Sequence, residues 1–471
     1  MRYIEGRVEG IKITYIGGGS RGWAWQLMSD LAKEEQLNGK VKLYDIDYEA
    51  ARHNMAIGNG LKVREDVKSK WDYEAVATLD EALEDADFVI ISILPGTFKE
   101  MASDVHTPEK YGIYQAVGDT VGPGGIVRGL RTVPMFVEIA KAIEANCPEA
   151  WVINYTNPMS LCVKTLYEAF PQIKAFGCCH EVFNTQKLLA AALEDMEGIK
   201  GVTREEIKIN VLGINHFTWL DKASYKNIDL LPIYERFVDK YHLTGFETEK
   251  AGHWMNDHFG SCNRVQFDLF KRYGLIAAAG DRHLAEFMQG NWYIENPAQV
   301  MEWKYSLTPV SWRKEDLKER LAKSERLVKG EEDFTIEDTG EEGVRQIKAI
   351  LGLEDLVSNV NVPNKGQITN LPLGAIVETN AVFRRDEVTP VLAGSLPAGI
   401  ASIAARHIAN TQMALEAALE KDKEKAFLAF TNDPLVMIGV EDARELLDEM
   451  LINTAEYLKG WVLQESIEEE V

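Results

Sequence analysis

The sequence predicts an α/β protein in two parts: residues 1–195 as a parallel sheet wrapped by helices, and residues 196–471 as a second, mixed α+β domain. Three observations lead there. Short apolar runs alternate with amphipathic helical patterns over the first 180 residues, a glycine-rich turn follows the first of those runs, and the rhythm changes near residue 195. A chain of 471 residues is long enough to bury a core in each part.

The expected strands are IKITYIG (11–17), KVKLYDI (40–46), ADFVIISI (86–93), AWVINY (150–155) and IKAFGC (173–178). Between them, WAWQLMSDLAKEE (23–35) and VPMFVEIAKAIEA (133–145) space their apolar residues as helices do. Such alternation gives a parallel sheet, because joining parallel strands needs a crossover long enough to hold a helix. Past residue 195, EIKINVLGINHFTWLDKASY (206–225) reads as adjoining strands, and long helices follow. The charged stretch 312–342 is expected to be a solvated helix and a loop whose charges need no functional reading. The acidic tail QESIEEEV (464–471) is expected to fray.

Composition narrows the function. A formal charge of −23 excludes nucleic acid as a partner, since phosphate neutralisation needs a basic surface. No run reaches the roughly 18 apolar residues of a membrane span, and MRYIEGRVEG lacks the apolar stretch of a signal peptide, so the expected compartment is the cytoplasm. Five widely spaced cysteines, Cys147, Cys162, Cys178, Cys179 and Cys262, argue for reduced thiols over a disulfide framework.

Two constellations carry chemistry. GGGSRG (17–22) places Gly17, Gly19 and Gly22 in dinucleotide spacing, with Ser20 among them, after a strand and at the start of a helix. Asp45, closing the next strand, is placed to accept from the adenosine ribose, which favours NAD over NADP. The second is FGCCHEV (176–182). A Cys-Cys-His run where a strand ends suits metal binding, nucleophilic catalysis or a buried structural thiol. VINYTNPM (152–159) ends a neighbouring strand, and GINHFTW (213–219) brings His216 to the close of another apolar run. A thiolate with imidazoles suits a transition metal, although ligand spacing across separate elements does not by itself decide it.

Seven motifs occur in order: GGGSRG, LYDID (43–47), GDTVGPGGIVRGLRT (118–132), YTNPM, the Cys-His of FGCCHEV, INHF and NVPNKGQITNLP (361–372). Over essentially its whole length the chain resembles glycoside hydrolase family four, the NAD- and manganese-dependent glycosidases. Within the family it is most similar to members that cleave α-galacturonides, with α-glucuronide and α-galactoside enzymes nearby. The resemblance implies a Rossmann domain joined to a second domain of the lactate and malate dehydrogenase type. It implies Cys179 and His216 as metal ligands and Asn157 as a contact of both cofactor and sugar. His180 stands where some members carry the aspartate proposed as general acid. The family's usual tyrosine base has no counterpart in AAAGDRHLAEF (277–287), which leaves Asp281 or His283, while Tyr273 is expected to pack in the core. Asp119 and Arg282 join Asn157 as candidate substrate ligands, with Arg264 a second candidate cation for a uronate. Cys178 is expected to be packing only.

The mechanism implied departs from paired carboxylates. Hydride leaves C3 of the sugar for NAD, a base takes the C2 proton, the aglycone leaves by elimination, and water and hydride then return. SILPG (92–96) lacks the arginine that phosphosugar-cleaving members carry there, so the expected partner is a small uronide and not a 6-phosphosugar. A homodimer or homotetramer is the expected assembly. The rival class is a plain NAD-dependent dehydrogenase of sugars or hydroxy acids, which needs the nucleotide turn but no metal pair.

Overall fold

The computed structural model describes residues 1–247, 255 and 257–463; the acidic tail at 464–471 lies outside the described residues. Six parallel strands stand side by side in the order Trp71–Val76, Leu37–Tyr44, Arg7–Ile16, Phe88–Ile91, Trp151–Asn154 and Lys174–Gly177. In chain order that is third, second, first, fourth, fifth and sixth, the Rossmann arrangement. Five of the six match the apolar runs read from the sequence. Trp71–Val76 (WDYEAV) escapes that reading because two acidic residues interrupt it, leaving only Trp71, Tyr73 and Val76 buried.

The sheet continues past Gly177. Leu356–Pro363 joins it antiparallel through Asn361 opposite Gly177, and Ile376–Arg384, Ile207–Ile214, Phe217–Tyr225 and Ile228–Asp229 extend it further. The second part of the chain is thus mixed α+β, built on the edge of the parallel strands. One buried cluster joins Ile13, Val41 and Phe176 to Ile347, Val360 and Phe383, so residues past 195 complete the core under the parallel strands. Among the described residues no helix is long and apolar enough to cross a membrane.

Two segments differ from expectation in ways that shape the site. The helix Val310–Lys329 is largely exposed, as expected, but the loop after it returns to the N-terminal half. There Thr339 donates to Asp30 at 2.8 Å and Glu341 reaches His180, so the charges of this stretch do have a structural task. The helix expected from residue 133 starts already at Gly122 and runs to Asn146. Pro123 is tolerated in its first turn, where no backbone N–H has an intrahelical partner. Gly125 lets that turn press on the preceding loop, since a Cβ there would lie 2.4 Å from the Thr120 backbone.

Candidate active site

The glycine turn is closed by the acid beside it. Gly17 follows the strand Arg7–Ile16 at φ 95°, and a Cβ there would lie 2.0 Å from the Ser92 carbonyl oxygen. Gly17 and Gly18 donate to the Tyr44 carbonyl at 2.9 Å, and Ser20 donates to the Gly17 carbonyl at 3.0 Å. Asp45 Oδ2 accepts from Gly19 N–H at 2.9 Å, and its Oδ1 accepts from Asp47 N–H at 2.9 Å. Burial pushes the Asp45 carboxyl up, and the two N–H donors oppose that only in part. Gly22 caps the helix Trp23–Lys33. Backbone without side chains in front of a helix N-terminus fits a dinucleotide pyrophosphate, so the residues present suit NAD.

The second group assembles at the carboxyl ends of neighbouring parallel strands. Asn157 follows Trp151–Asn154, and Cys179 and His180 follow Lys174–Gly177. His216 arrives from the antiparallel half, in the two-residue turn between Ile207–Ile214 and Phe217–Tyr225, with φ 63°. Left-handed backbone at a non-glycine residue costs about 1–2 kcal/mol. The side chain compensates by engaging the site: it is 3% exposed, and Nδ1 lies 2.9 Å from Thr120 Oγ1. Thr120 gives its one hydroxyl proton to Asp119 Oδ1 at 2.7 Å. It therefore accepts from His216 Nδ1–H, which leaves the lone pair on Nε2.

His283, on the helix Asp281–Phe287, stacks on His216 with ring centroids 3.7 Å apart. Asp119, His216 and His283 each bring a ligand atom within 4.8 Å of the others. Burial, aided by the neighbouring ring, lowers His216 to about 3, and burial lowers His283 to about 4, so both imidazoles are neutral at pH 7. Burial works against the Asp119 carboxylate, yet His283, Arg128 and His216 hold it well below the usual carboxylate range. Asn157 Nδ2 donates to Asp119 Oδ2 at 3.1 Å, while Asn157 Oδ1 and His283 Nδ1 are buried with no protein partner. Two neutral imidazoles, a carboxylate and orphaned polar atoms fit a divalent transition metal.

The residues of FGCCHEV divide. Cys178 is buried and donates to Gln346 Oε1 at 2.9 Å within the hydrophobic core, the packing role expected of it. Cys179 is half-buried, and burial raises its thiol well above the usual range, with Glu378 and Glu181 adding to the effect. Its sulfur is not a member of the close group around His216, which Asp119 and His283 complete instead. His180 Nδ1 lies 3.0 Å from Glu341 Oε1, and its ring stacks on Trp23 at 6.0 Å, between the glycine-turn helix and the metal-suited group. Burial pulls its pKa down, but Glu341 and Glu181 reverse this and leave it raised.

Three expectations are corrected. Asp281 is fully buried and accepts from Ser261 Oγ at 2.8 Å and Gln266 N–H at 2.9 Å. Its carboxylate caps the helix Arg264–Tyr273 and is not placed as a base. Arg282 donates to the carbonyls of Ser306 and Ala116 at 3.0 and 2.8 Å and to Thr308, so its fork joins three segments. Arg264 is turned toward the carbonyls of His242 and Glu302 and lies over Trp303. Tyr273 packs edge-on against Trp219, as expected.

Other contributors carry no motif of their own. Glu286 accepts from Val117 and Gly118 N–H at 2.6 and 3.2 Å and so holds the loop that presents Asp119; burial raises it to about 7. Glu378 accepts from Asn359 at 2.6 Å and Thr218 at 2.9 Å, and Asn359 also donates to the Cys179 carbonyl. In NVPNKGQITNLP, Asn364 donates to the Ile368 and Leu371 carbonyls and accepts from Gly366 and Ile368 N–H, so that motif is a built loop.

Residues 12–195 match the family model described as family 4 glycosyl hydrolase, and residues 211–436 match the model of that family's C-terminal domain. The chain is 65% identical over 464 residues to an alpha-galacturonidase of Thermoanaerobacterium saccharolyticum, covering 98% of this chain and all of the relative. An alpha-galacturonidase of Bacillus subtilis is 56% identical over 441 residues, 94% of this chain and 97% of the relative. The crystal structure of the Bacillus subtilis protein lplD, described as a glucosidase, superposes with a TM-score of 0.90 at 55% identity, over 94% of this chain and 100% of that one.

Proposed function

The chain belongs to glycoside hydrolase family 4, and we infer from that premise that it hydrolyses α-galacturonides with NAD and Mn2+ as cofactors. The observation that carries this reading is the convergence of the glycine turn and the Asp119–His216–His283 group on the carboxyl end of one parallel sheet. When bound there, NAD would supply a hydride acceptor and the divalent metal a Lewis acid.

The chain's own residues divide the remaining work. Gly17, Gly19, Ser20 and Gly22 cradle the pyrophosphate, and Asp45 takes the adenosine ribose. Asp119, His216 and His283 hold the metal, and Cys179 at the adjacent strand end is proposed to join them as a thiolate. Asn157 is anchored on Asp119 through Nδ2 and offers its unpartnered Oδ1 to a sugar hydroxyl. His180, biased toward its protonated form by Glu341, gives a proton to the departing aglycone oxygen. A 6-phosphosugar finds no cation at residues 92–96: Arg131 reaches the Pro95 carbonyl there but is fully buried and paired with Asp104. The chain is further proposed to act in the cytoplasm as a homodimer or homotetramer, a reading supported by exposed apolar Leu428, Met437 and Val440, and sedimentation tests it.

The experiment is hydrolysis of aryl α-D-galacturonide, α-D-glucuronide and α-D-galactoside with NAD and Mn2+ present. Fastest release from the galacturonide with no net NADH is the expected result. A faster glucuronide or galactoside reassigns the substrate, and NADH accumulating in step with turnover points to the dehydrogenase.

A further inference from the structure

A chain of net charge −23 that acts on a uronide has to bring a cation to the sugar carboxylate. Most arginines around the metal-suited group are already occupied. Arg128 donates to the Asn157 carbonyl and is attracted at longer range by Asp119, Arg131 is paired with Asp104, and Arg264 and Arg282 donate to backbone carbonyls.

Arg313 differs. It stands in the first turn of the helix Val310–Lys329, half-buried, and among the described residues its guanidinium makes no hydrogen bond and no ion pair. Its guanidinium carbon lies 5.6 Å from the centre of the Phe259 ring, and that of Arg282 lies 5.1 Å from the same ring. Two cations thus flank one aromatic side chain, and they repel each other. The carboxylate acting most strongly on Arg313 is Asp119 of the metal-suited group, ahead of Asp316 on its own helix. A partly desolvated guanidinium with only an aromatic face beside it and no anion bonded to it is unfavourable, and a carboxylate ligand removes that cost through a charge-assisted fork.

We infer that Arg313 is the specificity-determining residue for the sugar carboxylate, with Arg282 reinforcing the positive field from its fixed position; the inference rests on the galacturonide reading above. The charged stretch 312–342 therefore supplies the substrate's anion site.

The test uses the full chain with NAD and Mn2+. Arg313→Gln is expected to raise KM for an aryl α-D-galacturonide about 50-fold with a much smaller change in kcat, and Arg313→Lys to recover part of the loss. Inhibition by free galacturonate weakens in parallel, while NAD affinity and the unfolding midpoint hold. A KM within about 3-fold of wild type in Arg313→Gln, or a matching loss of NAD affinity in both variants, overturns the assignment. A wild type that cleaves the galactoside but not the galacturonide overturns the substrate reading itself. The galacturonate inhibition constant, measured against the galactoside, then still decides Arg313: unchanged in Arg313→Gln, it refutes the role.

Discussion

Thr120 Oγ1 lies 2.9 Å from His216 Nδ1 while donating to Asp119 Oδ1 at 2.7 Å, so one hydroxyl sets both the tautomer of an imidazole and the aim of a carboxylate. The two groups it orients belong to the same metal-suited set. Partners of this kind are worth about 10- to 100-fold in metal affinity.

Thr120→Val keeps the volume but removes the hydroxyl, and is expected to weaken Mn2+ binding by about that factor, while Thr120→Ser restores most of it. Titration of the full chain with Mn2+ reads this directly. Equal affinities in the valine variant and wild type would remove Thr120 from the account.

Cys179→Ser should abolish metal-dependent hydrolysis, whereas Cys178→Ser should leave most of it. The first loses the soft ligand proposed at the strand end; the second loses a core contact to Gln346. Measured together with Mn2+ affinity, indistinguishable variants would refute the division of roles between the two neighbouring cysteines.

Asp281 and His283 separate by what they lose. Asp281→Asn weakens a buried helix cap and should cost about 1–2 kcal/mol of stability, read as a lower unfolding midpoint, with Mn2+ affinity held at temperatures where the chain is folded. His283→Asn should keep the midpoint and lose Mn2+ binding. Redox elimination breaks the C2–H bond, so hydrolysis in deuterated water is expected to put deuterium at C2 of the released sugar wherever the base exchanges its proton with solvent, which direct displacement at C1 does not. Retention of full Mn2+ affinity in His283→Asn would take it out of the metal group and return it to the role of base.

Asp45 meets Gly19 N–H, so its carboxylate stands at the mouth of the turn and repels a ribose 2′-phosphate. NAD is expected to bind at least about 10-fold more tightly than NADP, and Asp45→Ala to narrow that ratio while weakening NAD. Competition titration of the two nucleotides checks it, and equal affinity in the wild type would contradict the assignment.

Asp30 gives a pH signature away from the metal group. Burial raises its carboxyl to about 7, and donation by Thr339 opposes this only in part. The folded state thus binds this proton more tightly than the unfolded chain, whose carboxyl titrates near about 3.9. The stability it contributes is full below about pH 4 and is lost as pH rises through about 7. Asp30→Asn keeps an acceptor for Thr339 and should flatten the fall in unfolding midpoint between about pH 5 and 8, ending above wild type at the alkaline end. A variant less stable than wild type at about pH 8 would contradict this.

What the sequence by itself determined is what short segments decide. The glycine turn, Asp45 and the Cys-His at a strand end were legible because strand, turn and helix N-terminus are set by neighbouring residues and by a parallel sheet that presents them at one end. Cys178 was legible as packing for the same reason: the residue before Cys179 extends an apolar strand into the core. The strand Trp71–Val76 was not, since a half-exposed strand tolerates acidic residues that hide its period. The tertiary structure alone decided which of several plausible side chains face the site. Asp281 and His283 are two residues apart on one short helix, yet one turns to cap a helix and the other stacks on His216. Thr120 meets His216, Glu341 meets His180 and Arg313 shares Phe259 with Arg282 across long stretches of chain, and no local pattern encodes such pairings. They arise where loops from both halves close over the end of one continuous sheet, and burial there fixes which polar atoms have partners and which are left for substrate and metal.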